Sequence, residues 1–255
     1  LEGALDVVAQ LLDLPLERLV GPEQELLPYK GLWPETPYTG TSYQPHPTPK
    51  AAYAAMISFF DKQVGRWMQL LKELNLDGRT IVFLTSDNGT THLQEQVDAE
   101  FFQSVGPLRG LKGSVYEGGI RVPLIVRWPG HVAPHTESDL LCTHYDALAT
   151  ILDVAGLSPP ADTDGISYLP TLLSHDDSQP AHPYLFWDFA GYGGQLAVRM
   201  GRWKGVQHNL RQNPDAPLEL YDLQADLGET TNLADRQPDV VEQIRRIVRE
   251  ARVRP

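Results

Sequence analysis

One cysteine, Cys142, occurs in 255 residues. No internal disulfide can form, and no thiolate metal cluster can be built. Cys142 itself reads as a small buried hydrophobe. Basic residues are also in deficit: 21 Lys and Arg face 33 Asp and Glu, a net charge of −12. That balance disfavours nucleic acid and anionic membranes as partners, and leaves any anion only a local site. No apolar run approaches the ~18 residues that span a bilayer. The chain opens Leu1-Glu2-Gly3-Ala4-Leu5-Asp6, without Met, basic stretch or apolar leader. A processed, truncated or partial reading frame is therefore expected, and the compartment is not legible from this end. What is present, 42% hydrophobic and 21% charged residues, suits a globular protein with an ample core.

Periodicity organises the rest. Residues 1–14 read as a short amphipathic helix, and 21–49, rich in Pro, Gly, Tyr and Thr, as an irregular packed loop. Thr48-Pro49 predicts a helix start, with Thr as N-cap and Pro at the first helical position. Tyr53, Ile57, Phe60, Val64, Trp67, Leu71 and Leu74 follow in steps of four and three, one apolar face expected in the core. Asn75 and Asp77-Gly78 end it. A strand covered on both faces is predicted at Ile81–Leu84, a second near Val122–Trp128, and a helix over 145–155 closed by Gly156. This α-then-β grammar points to an α/β fold with a doubly wound sheet. A composition shift at Pro159-Pro160 divides the chain into 1–158 and 159–255. Beyond it, Tyr184–Phe189, Gln195–Met200, Trp203–Val206 and Glu219–Leu223 read as an antiparallel sheet. Pro238–Arg252 reads as a closing helix.

Several residues carry possible chemistry. Asp87-Asn88-Gly89 ends the first strand, where ligands bind in open α/β sheets. Asp87 and Asn88 offer hard oxygens to a cation such as calcium, though Asp-Asn-Gly is equally a common turn. Two ligands fall short of the about six to eight oxygens that calcium takes. Lys112, between Gly110 and Gly113, is either a point charge for an oxyanion or a solvated surface lysine. Arg109 and Arg121 either pair with Glu117 or reach a ligand. His92 either bonds an oxyanion or donates a proton, or it is an exposed loop histidine. His144 reads as a capping or buried structural histidine. Trp187, Asp188, Tyr192, Arg199 and His208 line a pocket mouth or belong to core and surface.

Taken in order, the motifs add up. Ser86-Asp87-Asn88-Gly89, Leu108-Arg109-Gly110-Leu111-Lys112-Gly113 and Tyr116-Glu117-Gly118-Gly119-Ile120-Arg121-Val122-Pro123 strongly resemble the type I, arylsulfatase A-like sulfatases. So do Arg127-Trp128-Pro129-Gly130, Gly201-Arg202-Trp203-Lys204, and Glu219-Leu220-Tyr221-Asp222-Leu223 followed by Glu229 and Asn232-Leu233-Ala234. The resemblance covers residues 50–240. It implies an alkaline-phosphatase-like sheet sandwiched by helices, plus a small carboxy-terminal antiparallel sheet. It further implies hydrolysis of small-molecule or glycan sulfate esters by a calcium ion and a formylglycine made in a Cys-x-Pro-x-Arg context. By motif, Asp87 and Asn88 match two calcium ligands, and Lys112 matches the lysine that binds sulfate and helps the leaving oxygen. His92 falls at a variable position. The resemblance suggests a periplasmic, secreted or lysosomal compartment.

Other expected parts are absent from these residues. Cys142 stands in Cys-Thr-His-Tyr-Asp, outside the modification motif, and the Asp-Asp pair that opens the family sequence does not occur at the start. The resemblance therefore implies a carboxy-terminal portion, inactive alone and partnered by its own amino-terminal half. A noncatalytic sulfatase-like binding or scaffold protein is the alternative. Related phosphatases and phosphonate hydrolases share the fold and metal logic.

Overall fold

A computed structural model describes residues 23–40, 43–91 and 99–253. His92 and the predicted helix at 1–14 lie outside the described residues. The chain divides into two compact units, Leu1–Thr80 with Thr91–Ser104, and Ile81–Thr90 with Val105–Pro255.

The first unit holds α1 (Glu23–Leu26), α2 (Pro49–Glu73) and α3 (Ala99–Phe102). Helix α2 begins where the sequence places it, with Pro at its first position. The cap differs, however. The Thr48 hydroxyl makes no capping bond. The Glu35 carboxylate instead accepts the Lys50 and Ala51 amides at 3.0 and 2.9 Å. A negative charge there answers the positive end of the helix dipole. Asn75, at φ +56°, closes the helix. The Asn75 amide bonds the Lys72 carbonyl and the Leu76 amide the Leu71 carbonyl, the paired arrangement of a Schellman end.

The predicted apolar face of α2 is not a core stripe. Ile57 and Phe60 are each 53% exposed. Burial falls on Ala51, Ala52, Ala54 and Ala55 instead, while Tyr53 and Met56 pack with Tyr38 and Tyr43. Periodicity identifies a common face, but not which residues find cover.

In the second unit, β1 (Val82–Thr85) and β2 (Leu124–Arg127) are the two strands expected before residue 130. They pair antiparallel, Val82 with Arg127 through Thr85 with Leu124, so no doubly wound parallel sheet forms among the described residues. Nor is β1 buried on both faces: Val82, Phe83 and Leu84 are half-buried, and Ile125 beside them is 58% exposed. A two-stranded ribbon has no neighbouring strands to cover it. Pro123 delays the start of β2, since it brings no amide to the ladder. Short helices α4 (Glu117–Ile120) and α6 (Leu169–Leu172) flank α5 (Asp146–Val154), which closes at Gly156 as expected, with φ +70°.

The carboxy-terminal part follows its predicted order. Strands β3 (Leu185–Phe189), β4 (Gln195–Met200), β5 (Trp203–His208) and β6 (Glu219–Asp222) form an antiparallel meander. Helix α7 (Pro238–Val253) covers one face. Cross-strand rows sort the side chains. Phe186, Val198, Gly205 and Leu220 align under Ile244 of α7, which is fully buried. The adjacent row, Leu185, Arg199, Lys204 and Tyr221, faces the other way, because side chains alternate along a strand. On that face Ala197, Val206 and Tyr221 pack against Val115 and Tyr116. The sheet thus supports the segment that enters α4.

Candidate active site

Three loops meet beyond the carboxyl end of β1. The Gly89 amide donates to the Gly119 carbonyl at 2.9 Å, and the Lys112 amide to the Thr90 carbonyl at 2.7 Å. The Gly118 amide donates to the Arg109 carbonyl at 2.7 Å. Glycine is required by contact here. A Cβ at Gly89 would stand 1.9 Å from the Gly118 carbonyl oxygen, and one at Gly118 would stand 2.1 Å from that of Gly110. Backbone lies directly on backbone, and the Asp87 turn and the Lys112 loop become neighbours.

Their side chains stay outside this knot. Asp87 and Lys112 are exposed and Asn88 is half-buried. Neither the Asp87 carboxylate nor the Lys112 ammonium makes an ion pair among the described residues. Ser86 braces the turn by donating from Oγ to the Asn88 carbonyl at 2.8 Å. The turn offers hard oxygens suited to calcium, but only one edge of a shell. Among the described residues no group of three or more His, Cys, Asp or Glu could hold a metal.

Beneath the corner lies a buried ionic cluster that the sequence reading did not assemble. Lys204, fully buried, donates to Glu117 Oε1 at 2.8 Å. Its Nζ also stands 3.2 Å from Glu229 Oε1, near enough to pair but misaligned for a hydrogen bond. Glu229 Oε2 accepts the Glu117 amide at 2.7 Å. Arg199 and Arg121 complete the charge around Glu117 Oε2, at 3.6 and 3.8 Å. Burial pushes the Glu229 carboxyl up, against the pull of Lys204. Alternation along β5 was the available signal: Lys204 shares its face with the buried Val206.

Other expectations resolve individually. Arg121 pairs with Glu117 as the structural reading held, but Arg109 does not. Arg109 donates to the Tyr221 hydroxyl at 3.0 Å and the Glu229 carbonyl at 2.8 Å, and stacks 3.9 Å over the Tyr116 ring. His144 is exposed, neither cap nor core. His182 has the enclosed side chain instead, with its Nε2 2.8 Å from Asp146 Oδ1. Asp146 takes the capping role, accepting the Thr143 and Ile166 amides, each at 2.8 Å. Its short carboxylate suits a helix start better than an imidazole does. Cys142 is half-buried, and burial followed by the nearby Asp146 charge pushes its thiol up, away from a ready thiolate. Of the residues read as a pocket mouth, Asp188 pairs with Arg252 on the surface, and Trp187 packs on the core. Tyr192 lies against Gly113.

Comparison with known proteins names this arrangement. The family described as Sulfatase matches residues 27–157, more than half of the chain. The chain belongs to the sulfatase family. A second description, N-sulphoglucosamine sulphohydrolase, C-terminal, matches residues 111–253 of this sulfatase chain. Bos taurus arylsulfatase A is 31% identical over 84% of the chain and 45% of its own length. A structure from a Bacteroides thetaiotaomicron glycosaminoglycan-metabolism locus superposes with TM-score 0.66 at 28% identity, covering 80% of this chain and 45% of that one. Another, in complex with its substrate D-glucosamine-2-N,6-O-disulfate, gives TM-score 0.62 at 22% identity, covering 80% and 40%. The fold is that of the alkaline-phosphatase-like sulfatases. The chain spans 36%, 45% and 33% of three curated relatives' lengths.

Proposed function

We propose that these residues form part of a sulfate-ester hydrolase centre, with Lys112 holding sulfate oxygens and Asp87 and Asn88 supplying two oxygens to calcium. The observation that carries the reading is the Lys112 amide bond to the Thr90 carbonyl, 2.7 Å long. It brings the Lys112 loop next to the Asp87 turn, and neither side chain makes an ion pair among the described residues. Lys112 neutralises charge on the sulfate oxygens and on the oxygen that leaves as the ester breaks. Calcium, when bound, supplies polarisation of the sulfate and orientation of the nucleophile. His92, four residues after Asn88 in the sequence and outside the described residues, is assigned by motif position alone the part of a hydrogen-bond or proton donor to the same oxyanion. No Cys-x-Pro-x-Arg occurs in these 255 residues, so the reading assigns the formylglycine nucleophile to chain outside them. It likewise treats 1–158 as catalytic-domain chain and 159–255 as a supporting subdomain. The substrate class is a sulfated sugar or aryl ring, supported by the relatives' names and by the sugar disulfate bound in the second structure.

The test uses the full open reading frame that contains these residues. With 4-nitrophenyl sulfate it should turn over, lose activity to a chelator and regain it with calcium. K112A should lower kcat/KM by about 10²–10³, the scale for removing one oxyanion partner. The 255 residues alone should show no turnover. Chelator-resistant activity indifferent to K112A and D87N would overturn the reading. Lys112-dependent binding of sulfate without turnover would instead favour the noncatalytic binding protein.

A further inference from the structure

Beside the Lys112 loop stands a feature that its chemistry does not require. Tyr192 lies in the turn between β3 and β4, 64% exposed to solvent. Its backbone is left-handed, with φ +48°, a conformation that costs a bulky residue energy and that a glycine would adopt freely. The turn has glycines at 191, 193 and 194, and Tyr192 is the one side chain among them. That ring lies on Gly113, the residue after Lys112. A Cβ at Gly113 would stand 2.5 Å from Tyr192 Cε2, and Gly113 itself has φ +85°. The contact is fixed from a second side. Gln195, buried at the start of β4, donates from Nε2 to the Gly113 carbonyl at 2.9 Å. Phe189, 39% exposed, adds a second ring with its centroid 6.1 Å from that of Tyr192.

A strained, exposed aromatic is therefore keyed to the neighbour of an exposed lysine that makes no ion pair among the described residues. The ring keeps most of its surface exposed. The arrangement suits a ligand with two parts: an anionic group for the ammonium, and a flat or C–H-rich ring for the aromatic surface. We propose that Tyr192 is a specificity-determining residue, a platform for the six-membered ring that bears the sulfate ester. The inference rests on the Lys112 reading above and adds the part of the substrate beyond the sulfate. Lys112 recognises what leaves, and Tyr192 recognises what it leaves from.

The full open reading frame is assayed as wild type, Y192A, Y192F and K112A. Substrates are 4-nitrophenyl sulfate and glucosamine 6-sulfate, with inorganic sulfate as a ringless competitor. Y192A should raise KM by about tenfold with kcat little changed, as loss of ring binding requires. Y192F, which keeps the ring, should rescue KM. The sulfate inhibition constant should rise only in K112A. A KM effect confined to the aryl substrate identifies an aryl ring, and one confined to the sugar identifies a pyranose; either supports the platform. A KM unchanged in Y192A, with sulfate inhibition still lost in K112A, overturns this inference alone. A sulfate constant that rises in parallel with KM in Y192A also overturns it, since the Lys112 loop has then moved. If K112A alters neither constant, the Lys112 reading fails and this inference with it.

Discussion

A fully buried lysine needs a reason, and in this chain Lys204 has two carboxylates. Removing charge from water costs several kcal/mol per ion, repaid only when geometry and hydrogen bonds are complete. Here the repayment is uneven. Glu117 pairs with Lys204 and two arginines, whereas Glu229 keeps one oxygen without a hydrogen bond. Burial accordingly raises the Glu229 carboxyl above its ordinary 4.5. An acid raised in the folded state supports folding below its unfolded value and opposes it as pH climbs through the folded one. The urea midpoint of the wild type should therefore fall, relative to E229Q, as pH rises from about 4.5 toward neutrality. Parallel midpoints for the two proteins over that range would show that the carboxyl is not penalised. Single residues were the hardest features to read from sequence. Lys112 and Glu117 stood out through their glycine neighbours and motif. Lys204 did not, because an isolated lysine in a strand reads as solvent-facing until its row is known. His144 was misread as a cap or buried group for a similar reason: Asp146, not a histidine, best fits the three donors gathered at the start of α5.

Elements were far more legible. The carboxy-terminal strands and the start of α7 fell where alternation and Pro238 placed them, because local pattern and tertiary cover agree there. Ile244 shows how closely. Its Cγ2 lies 2.7 Å from where a Cβ on Gly205 would stand, so the strand gives up a side chain to admit the helix. I244A should destabilise the protein by about 2–5 kcal/mol, the usual range for emptying such a core position. Chemical denaturation checks this, and a loss below about 0.5 kcal/mol, typical of surface changes, would contradict the packing. Helix α2 is the counter-case. Its boundaries were readable from Pro49 and Asn75, but its buried side was not, since cover came to the small alanines and left Ile57 and Phe60 exposed. Strand β1 failed in the same way: an apolar run announces a strand, but the number of neighbours decides its burial.

At the scale of the whole molecule, apolar exposure recurs in both units. Ile57 and Phe60 lie three apart on α2, Leu148 and Ile151 three apart on α5, and Leu124 and Ile125 adjoin in β2, all at least 40% exposed. Exposed apolar surface of this kind drives association. The isolated 255 residues should therefore self-associate at micromolar concentration and bind a hydrophobic dye, whereas the full open reading frame should not. Light scattering across a dilution series checks this, and a monodisperse, dye-free monomer would contradict it. The glycine knot at the corner carries a different lesson, for protein engineering. Gly89 and Gly118 press against carbonyls that cannot retreat, so even a methyl there should be refused. The turn at 191–194 touches the same corner from outside through the Tyr192 ring, beside the Gln195 amide that opens β4. A library seeking altered substrate preference would do well to hold the former constant and diversify the latter. The fold has already separated the part that must not vary from the part that is free to.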